Sequence, residues 1–374
     1  MNKIFSTKHI DWMLVLFILP VLGAGLVTMT SFGAEGGLFW RQMIWIGISF
    51  SVFFTLSFFD FSVFKKTKVL MSIYGFFIFL LILLFFFGST IKGAQSWFNF
   101  GFFSFQPSDL MKVVLILLLA KYFSRRHVEI ANIKHVFISG LYAALPFILV
   151  FLQPDFGTAM IILLVWLGMV LVSGINKKHL LLVLIAGILT FSLLWTFVFA
   201  GYQKDRIRSF LSPLTDIQGT GYNAYQSTIA VGSGQLFGKG VGYGTQSRLQ
   251  FLPEYETDFI FAAFSEEWGF IGSMIVILSY LLIIWRILDN ARRGSGNFET
   301  LFGVGVAVMF FSHIAINVGM NIGLMPVTGI TLPFMSHGGS HLLTEFAALG
   351  ILMSMRRDSR SIHRDDMKYE FMGY

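Results

Sequence analysis

The chain of 374 residues contains no cysteine, which excludes disulfides and thiolate metal sites while leaving its compartment open. Charge is also scarce. Only 13% of residues are Asp, Glu, Lys or Arg against 55% hydrophobic, so a soluble domain is excluded and a polytopic membrane protein is indicated. No small-residue cleavage site follows the first apolar run, which reaches Thr30, so that run is expected to remain as a span and not to leave as a signal peptide. A complete phosphate loop is missing too. VGSGQLFGKGVGYG (Val231 to Gly244) has Ser233 where GxxxxGK[ST] needs glycine and Gly240 where it needs Ser or Thr, so it is read as a flexible turn region. No clear internal repeat is present.

What the chain does have is phenylalanine, 44 of them, suited to lipid-facing surfaces and greasy grooves. Apolar runs fall near 11–30, 40–59, 69–88, 110–123, 136–152, 156–172, 179–200, 259–285, 301–323 and 342–355. The expected fold is all-α, a polytopic integral membrane protein of about ten transmembrane helices in a single domain, 1–374. With both termini placed in the cytoplasm, 19 of the 27 basic residues fall in inner segments, from Lys3 and Lys8 through Lys65, Lys121, Arg126, Lys177 and Arg286 to Arg356, Arg364 and Lys368. Arg41, Lys92, Lys204, Arg206, Arg208, Lys239 and Arg248 fall outside, and Lys112 lies within a span. The positive-inside rule selects this orientation, and the net charge of +7 is then a matter of topology and not of nucleic-acid binding.

Only one connection is long. It covers 201–257 between the seventh and eighth spans, on the outer side, and a loop of that size in a compact membrane protein is usually functional. It opens with the amphipathic YQKDRIRSFLSP and ends at RLQFLPEYETDFIF (Arg248 to Phe261), where polar loop gives way to apolar helix. Asp258 sits at that threshold, behind Glu254 and Glu256. A carboxylate there is partly dehydrated, which suits a general base, and Asp is also a favoured helix N-cap. Residues 356–374 read as a short charged cytoplasmic tail.

Two spans are short. The runs 110–123 and 342–355 each cover only about 21 Å as helix against roughly 30 Å of hydrocarbon. Their polar neighbours must therefore lie at membrane depth: Gln106, Pro107, Ser108 and Asp109, with Lys112 one helical turn on, and SHGGSH (Ser336 to His341). Irregular Gly-rich backbone at that depth is tolerated only inside protein or beside a wet cavity. QPDFGT (Gln153 to Thr158) makes a third polar corner, in which Asp155 has the plainer role of capping the sixth helix. Asp258 makes a fourth. All four lie at the outer ends of their spans, so one outward cavity can collect Asp109, Lys112, Asp155, Asp258, Ser336, Gly338, Gly339 and Ser340.

Other patterns carry less. His313, Asn317 and Asn321 form one stripe suited to interhelical hydrogen bonds. His337, His341 and Glu345 have a metal-like spacing that Gly338 and Gly339 interrupt, and SHGGS completes no Ser/His/Asp order. An outward polar cavity between Phe-rich helices suits a substrate with a lipid tail and a polar head. Outside the cytoplasm no nucleotide is supplied, so a synthetic enzyme there must use a donor carrying its own leaving group, as polyprenyl-diphosphate sugars do. Glycosyl transfer needs a base for the attacking hydroxyl, for which Asp258 is the candidate, and cations for the departing diphosphate. Lys112, Arg206, Arg208, Lys239 and Arg248 are the candidates for those.

GTQSRLQFLPEYETDFIFAAFSEEWGFIG (Gly244 to Gly272), QPSDLMK, QPDFGT and PVTGITLPFMSHGGS (Pro326 to Ser340) resemble the SEDS family of shape, elongation, division and sporulation proteins. The resemblance runs over nearly all ten spans, and the GTQSRLQFLPE wording is closer to the rod-shape branch than to the division branch. It implies a peptidoglycan glycosyltransferase in the bacterial cytoplasmic (inner) membrane, its site facing the periplasm, that polymerises lipid II and releases undecaprenyl diphosphate. The implied partners are lipid II, the growing glycan strand, a class B penicillin-binding protein and other membrane proteins of an elongation complex. The family's essential carboxylate aligns with Asp258, and its Gln-Pro-Ser-acid-Lys motif with Gln106, Pro107, Ser108, Asp109 and Lys112. This chain departs in having Asp109 for the usual Glu, His337 for the usual Tyr and His341 for a small residue. No cofactor is implied, with room left for a divalent cation. The competing readings are a flippase for lipid-linked precursors, which would need matching polar sites on the inner half, and a non-catalytic scaffold.

Overall fold

A computed structural model describes residues 9–32, 37–91, 94–101, 103–125, 133–197, 199, 201–211 and 221–370. Lys3, Lys8, Lys92 and Arg126 of the charge count lie outside the described residues. The chain is all-α and polytopic, and each of the ten apolar runs has its helix. They are α1 (Trp12–Phe32), α2 (Gly37–Phe58), α3 (Thr67–Phe87), α4 (Pro107–Ser124), α5 (Ile133–Leu152), α6 (Phe156–Val172) and α7 (Lys177–Phe197). Three shorter helices follow, α8 (Gly201–Leu211), α9 (Tyr222–Ser233) and α10 (Thr245–Arg248), then α11 (Ile260–Arg292), α12 (Asn297–Asn321) and α13 (Gly339–Glu370). Of these, α1, α2, α3, α5, α7, α11 and α12 are long and apolar enough to cross a membrane unaided. The remaining three are short or charged and depend on their neighbours.

The core is built around α4. Of its 18 residues 14 are buried, because the run from Val113 to Ala120 is apolar on every face and leaves no side for solvent or lipid. Pro107 opens this helix at a position where its missing N–H costs nothing, which draws Asp109 and Lys112 inside the first two turns. It packs against α3, α5, α6 and α12, while α11 lies between α1 and α12 and α13 runs along α2. By contrast α7 buries none of its side chains and lies at the edge.

Three features depart from the sequence expectation. A small antiparallel sheet, β1 (Ser89–Ile91), β2 (Ala94–Asn99) and β3 (Ser104–Phe105), joins α3 to α4, with Ser89 opposite Trp97 and Phe98 opposite Phe105. Residues after Met355 continue α13 to Glu370. The eighth span is interrupted: within α11, Gly269 has φ 67° and ψ −165°, far from helical values.

At the end of the bundle opposite the long loop, Asp11 accepts hydrogen bonds from Arg286 (2.9 and 2.6 Å) and Asn290 (2.7 Å), with Arg356 at 3.5 Å. Burial disfavours its charge, but these donors outweigh burial and hold the Asp11 carboxyl below its usual range. This clasp ties the start of α1 to α11 and α13. Glu299 is likewise paired, 2.6 Å from Lys65.

Candidate active site

The segment that delivers Asp258 is a run of turns, not helix. Glu254 adopts φ +55°, and its carbonyl accepts from Thr257 N and Phe259 N, both at 3.1 Å, while its carboxylate accepts from Thr257 Oγ1 at 3.1 Å. Burial and the neighbouring Glu256 carboxylate push the Tyr255 phenol above its usual range. Half-buried Asp258 comes one residue too early to cap α11: the N-cap is Phe259, with no side-chain cap of its own. Asn321, at the far end of α12, does that work instead. Its Oδ1 accepts from Ala262 N at 3.1 Å, and its Nδ2 donates to the Asp258 carbonyl at 3.1 Å. Asn317 Nδ2 holds the same carbonyl at 3.0 Å and that of Ile330 at 2.7 Å. The helix that read as a polar stripe thus fixes the backbone of Asp258, whose carboxylate lies close to the Gly329 backbone (φ +74°).

The SHGGS turn forms the neighbouring wall. Ser336 Oγ donates to Thr257 O at 2.6 Å and accepts from Leu332 N at 2.8 Å, and His337 N donates to Glu256 O at 2.9 Å. Gln42 Nε2 reaches Ser336 O at 3.2 Å from α2. Gly338 lies open, whereas a Cβ at Gly339 would overlap the Trp45 indole. Ser340 Oγ accepts from Gln106 N at 3.2 Å, and Gln106 Nε2 donates to Asp155 Oδ2 at 2.8 Å. Asp155 caps α6 through Thr158 N at 3.1 Å, as its turn position suggested. Three of the four polar corners are therefore joined through Gln106 and Ser340, and the fourth through Ser336.

Beneath them lies a buried charged cluster. Lys112 Nζ donates to Asp109 Oδ1 at 2.8 Å and to His313 Nε2 at 3.2 Å, since an ammonium has no lone pair to accept with. His341 Nδ1 lies 3.5 Å from the same Asp109 oxygen and its Nε2 2.7 Å from Glu345 Oε1, while Glu345 Oε2 accepts from Phe334 N at 2.9 Å. Lys112 is 1% exposed, so its charge faces the cluster and not open solvent. The shortening from Glu to Asp at 109 is accompanied by an imidazole at 341 that reaches across to the same oxygen.

The loop cations differ in their surroundings. Lys239 Nζ is held by Glu266 Oε1 at 2.7 Å. Arg208 is exposed and 3.4 Å from Asp205. Arg206 lines a cleft of about 190 Å³ between α8, α9 and the 322–327 segment, and exposed Arg248 ends α10. Among the described residues, no group of three or more His, Asp or Glu is arranged to hold a metal ion. Sequence reading passed over Glu266 and Glu267, although two adjacent acids in a membrane span are costly enough to have drawn notice.

Residues 5–361 match the model of the cell cycle protein family that comprises FtsW, RodA and SpoVE. The chain belongs to this family. Similar relatives include the peptidoglycan glycosyltransferase MrdB of Escherichia coli, 34% identical over 97% of this chain and 98% of that one. Stage V sporulation protein E of Bacillus subtilis is 34% identical over 94% and 98%. Among solved structures, a chain of a peptidoglycan synthase complex that coordinates polymerization and crosslinking superposes with a TM-score of 0.80 at 30% identity, covering 93% of this chain and 98% of the other. RodA of Thermus thermophilus gives 0.71 at 30% identity, over 93% and 97%. The SEDS resemblance read from the motifs thus holds along residues 5–361.

Proposed function

We propose that this chain is a peptidoglycan glycosyltransferase of cell-wall synthesis that polymerises lipid II, with Asp258 as its general base. The observation that carries the assignment of the base is the seat of Asp258. Two fully buried asparagines grip its carbonyl, and Asn321 caps α11, so the backbone that carries the carboxylate is fixed at the start of the helix. It takes the proton from the acceptor's sugar hydroxyl, the freed oxygen attacks the donor's anomeric carbon with inversion, and the bond to the diphosphate breaks with its electron pair on the leaving oxygen. Arg248 and Arg206, from the loop that precedes Asp258 in the chain, receive that charge. Lys112 acts from below through its field, in keeping with its burial against Asp109. Gln106, Asp155, Glu254, Ser336, Gly338, Gly339 and Ser340 shape the cavity wall.

A divalent cation, where the reaction uses one, is assigned to the substrate diphosphate, whose oxygens are the kind of ligand such ions take. The partner is a class B penicillin-binding protein, an assignment supported by the likeness to a chain of a synthase complex that couples polymerization to crosslinking. Elongation-complex membrane proteins are further partners, in keeping with the rod-shape relatives. The charge distribution supports a bacterial inner-membrane location with the site opening to the periplasm. The test is polymerisation of labelled lipid II by the purified chain with its transpeptidase partner. Asp258→Asn should lower turnover by about 10²- to 10⁴-fold, and undiminished glycan from this variant sinks the assignment.

A further inference from the structure

The Gly-rich stretch Val231 to Gly244 has no part in the reaction described so far, yet its placement is specific. In an unbroken α11 the carbonyls of Glu266 and Glu267 would accept from Phe270 N and Ile271 N, four residues on. Here the chain opens at Gly269 and residues 235–240 are inserted between the two halves. Lys239 N donates to Glu266 O and Gly240 N to Glu267 O, both at 3.0 Å, while Phe270 N donates to Gln235 O at 2.8 Å and Ile271 N to Leu236 O at 3.1 Å. Two helical bonds become four inter-segment bonds, and the four groups parted by the break, Glu266 O, Glu267 O, Phe270 N and Ile271 N, are all paired. The approach is so close that a Cβ at Gly238 would overlap the Glu267 carbonyl, and one at Gly269 the Gly238 nitrogen.

The side chains lock the same joint. Glu266, 0% exposed, accepts at Oε1 from Lys239 Nζ (2.7 Å), Thr245 Oγ1 (3.0 Å), Gln246 N (3.2 Å) and Ser233 Oγ (3.5 Å). Glu267 accepts from Gly242 N at 2.6 Å and from Ser31 Oγ of α1 at 3.3 Å. Lys239 also bonds Thr245 Oγ1 at 2.9 Å, so α9, the inserted segment and α10 converge on one buried carboxylate. From there the contacts run to the site. Gln246 O accepts from Leu252 N at 3.0 Å, and Leu252 packs with Phe259, Ala262 and Ala230 directly beside Asp258.

We infer that the Lys239–Glu266 clamp is a positioning device for the catalytic carboxylate: it fixes the half-helix 260–268, and with it Asp258, in place of the helical bonds that α11 lacks. The inference rests on Asp258 being the base. A break leaves the short half free to tilt about Gly269 unless something else sets its angle. The inserted backbone supplies a seat, and the charged pair in a low-dielectric setting supplies the lock. Lys239, which its charge alone recommended as a diphosphate ligand, is thereby a positioning residue.

The experiment compares Lys239→Met, Lys239→Arg, Thr245→Val and Asp258→Asn in complex with the transpeptidase partner, measuring kcat and KM on lipid II, the melting temperature, and hydrogen exchange over 234–250. Misplacing a catalytic group by about 1 Å costs up to roughly 100-fold in rate. Lys239→Met should therefore lose about 10- to 100-fold in kcat per folded molecule with KM changed less than about threefold. Exchange should rise in the inserted segment, and Lys239→Arg should restore most of the rate. Thr245→Val, which removes one of the four donors to Glu266, should show a smaller loss in kcat of the same kind and serves where Lys239→Met does not fold. Unchanged kcat in the folded Lys239→Met and Thr245→Val proteins overturns the clamp, as does a loss confined to KM. With Asp258→Asn inactive, such a result refutes the clamp alone, whereas an active Asp258→Asn refutes the base on which it rests.

Discussion

Replacing Asn321 with alanine tests the seat of Asp258 without touching the carboxylate. Asn321 is fully buried, so its hydrogen bonds lie out of reach of bulk water. The loss falls unevenly on its partners. Ser227 Oγ keeps the Asn321 carbonyl at 2.9 Å, and Asp258 O keeps Asn317 Nδ2 at 3.0 Å, but Ala262 N loses its only cap. One stranded buried donor costs about 1–3 kcal/mol, a range that overlaps the about 0.5–2 kcal/mol of N-cap deletions. Thermal unfolding in detergent should register that destabilisation. Turnover on lipid II, measured on the folded fraction, should fall as well, because one of the two clamps on Asp258 O is gone. Asn321→Asp keeps an acceptor for Ala262 N but sets a buried carboxylate oxygen against Asp258 O and Asn317 O, and should lose both stability and activity. If Asn321→Ala melts with the parent and turns over at the parent rate, the seat has been misread.

Two other perturbations address the frame around the site. Gly339→Ala should destabilise the contact of α13 with α2 by about 1–3 kcal/mol, the usual cost of overpacking, because the added methyl meets the Trp45 ring; Trp45→Leu in the same protein should recover part of the melting temperature, and no recovery would count against this contact as the cause. Asp11 has a carboxyl held below its ordinary value of 3.8, so the clasp it forms with Arg286 and Asn290 contributes fully above that value and is lost as pH falls through the depressed pKa. The melting-temperature gap between parent and Asp11→Asn should therefore be constant at neutral pH and close only below about pH 4; a gap that closes near pH 6 would place the titration on another group.

The spans were legible in the sequence because hydrocarbon demands long apolar runs and polar backbone cannot be left bare within it. The same reasoning brought Gln106, Asp109, Lys112 and the SHGGS turn to one depth, since two of the runs were too short to cross alone. What stayed hidden was every feature made by residues distant in sequence. Asn321 caps a helix whose first turn lies nearly sixty positions earlier, and Asp258, although of a residue type that favours capping, does not cap it. The break at Gly269 is masked by flanking residues that suit a helix, and its partner segment looked like a failed phosphate loop. Strands β1 to β3 are too short for any period to register. Lys239 and Arg248 were indistinguishable as loop cations until Glu266 was found waiting for one of them.

The interrupted span also bears on how the molecule is made. A membrane helix normally enters the bilayer with its backbone already satisfied, but α11 cannot, because the partners for Glu266 O, Glu267 O, Phe270 N and Ile271 N belong to a segment that precedes it in the chain. That order is favourable for synthesis. By the time α11 emerges from the ribosome, residues 235–240 have already been made, so the patch can be ready before the gap exists. Insertion of this span is then a docking event between two pieces of chain, and its rate should depend on the glycines that let them meet as much as on the hydrophobicity of the span itself.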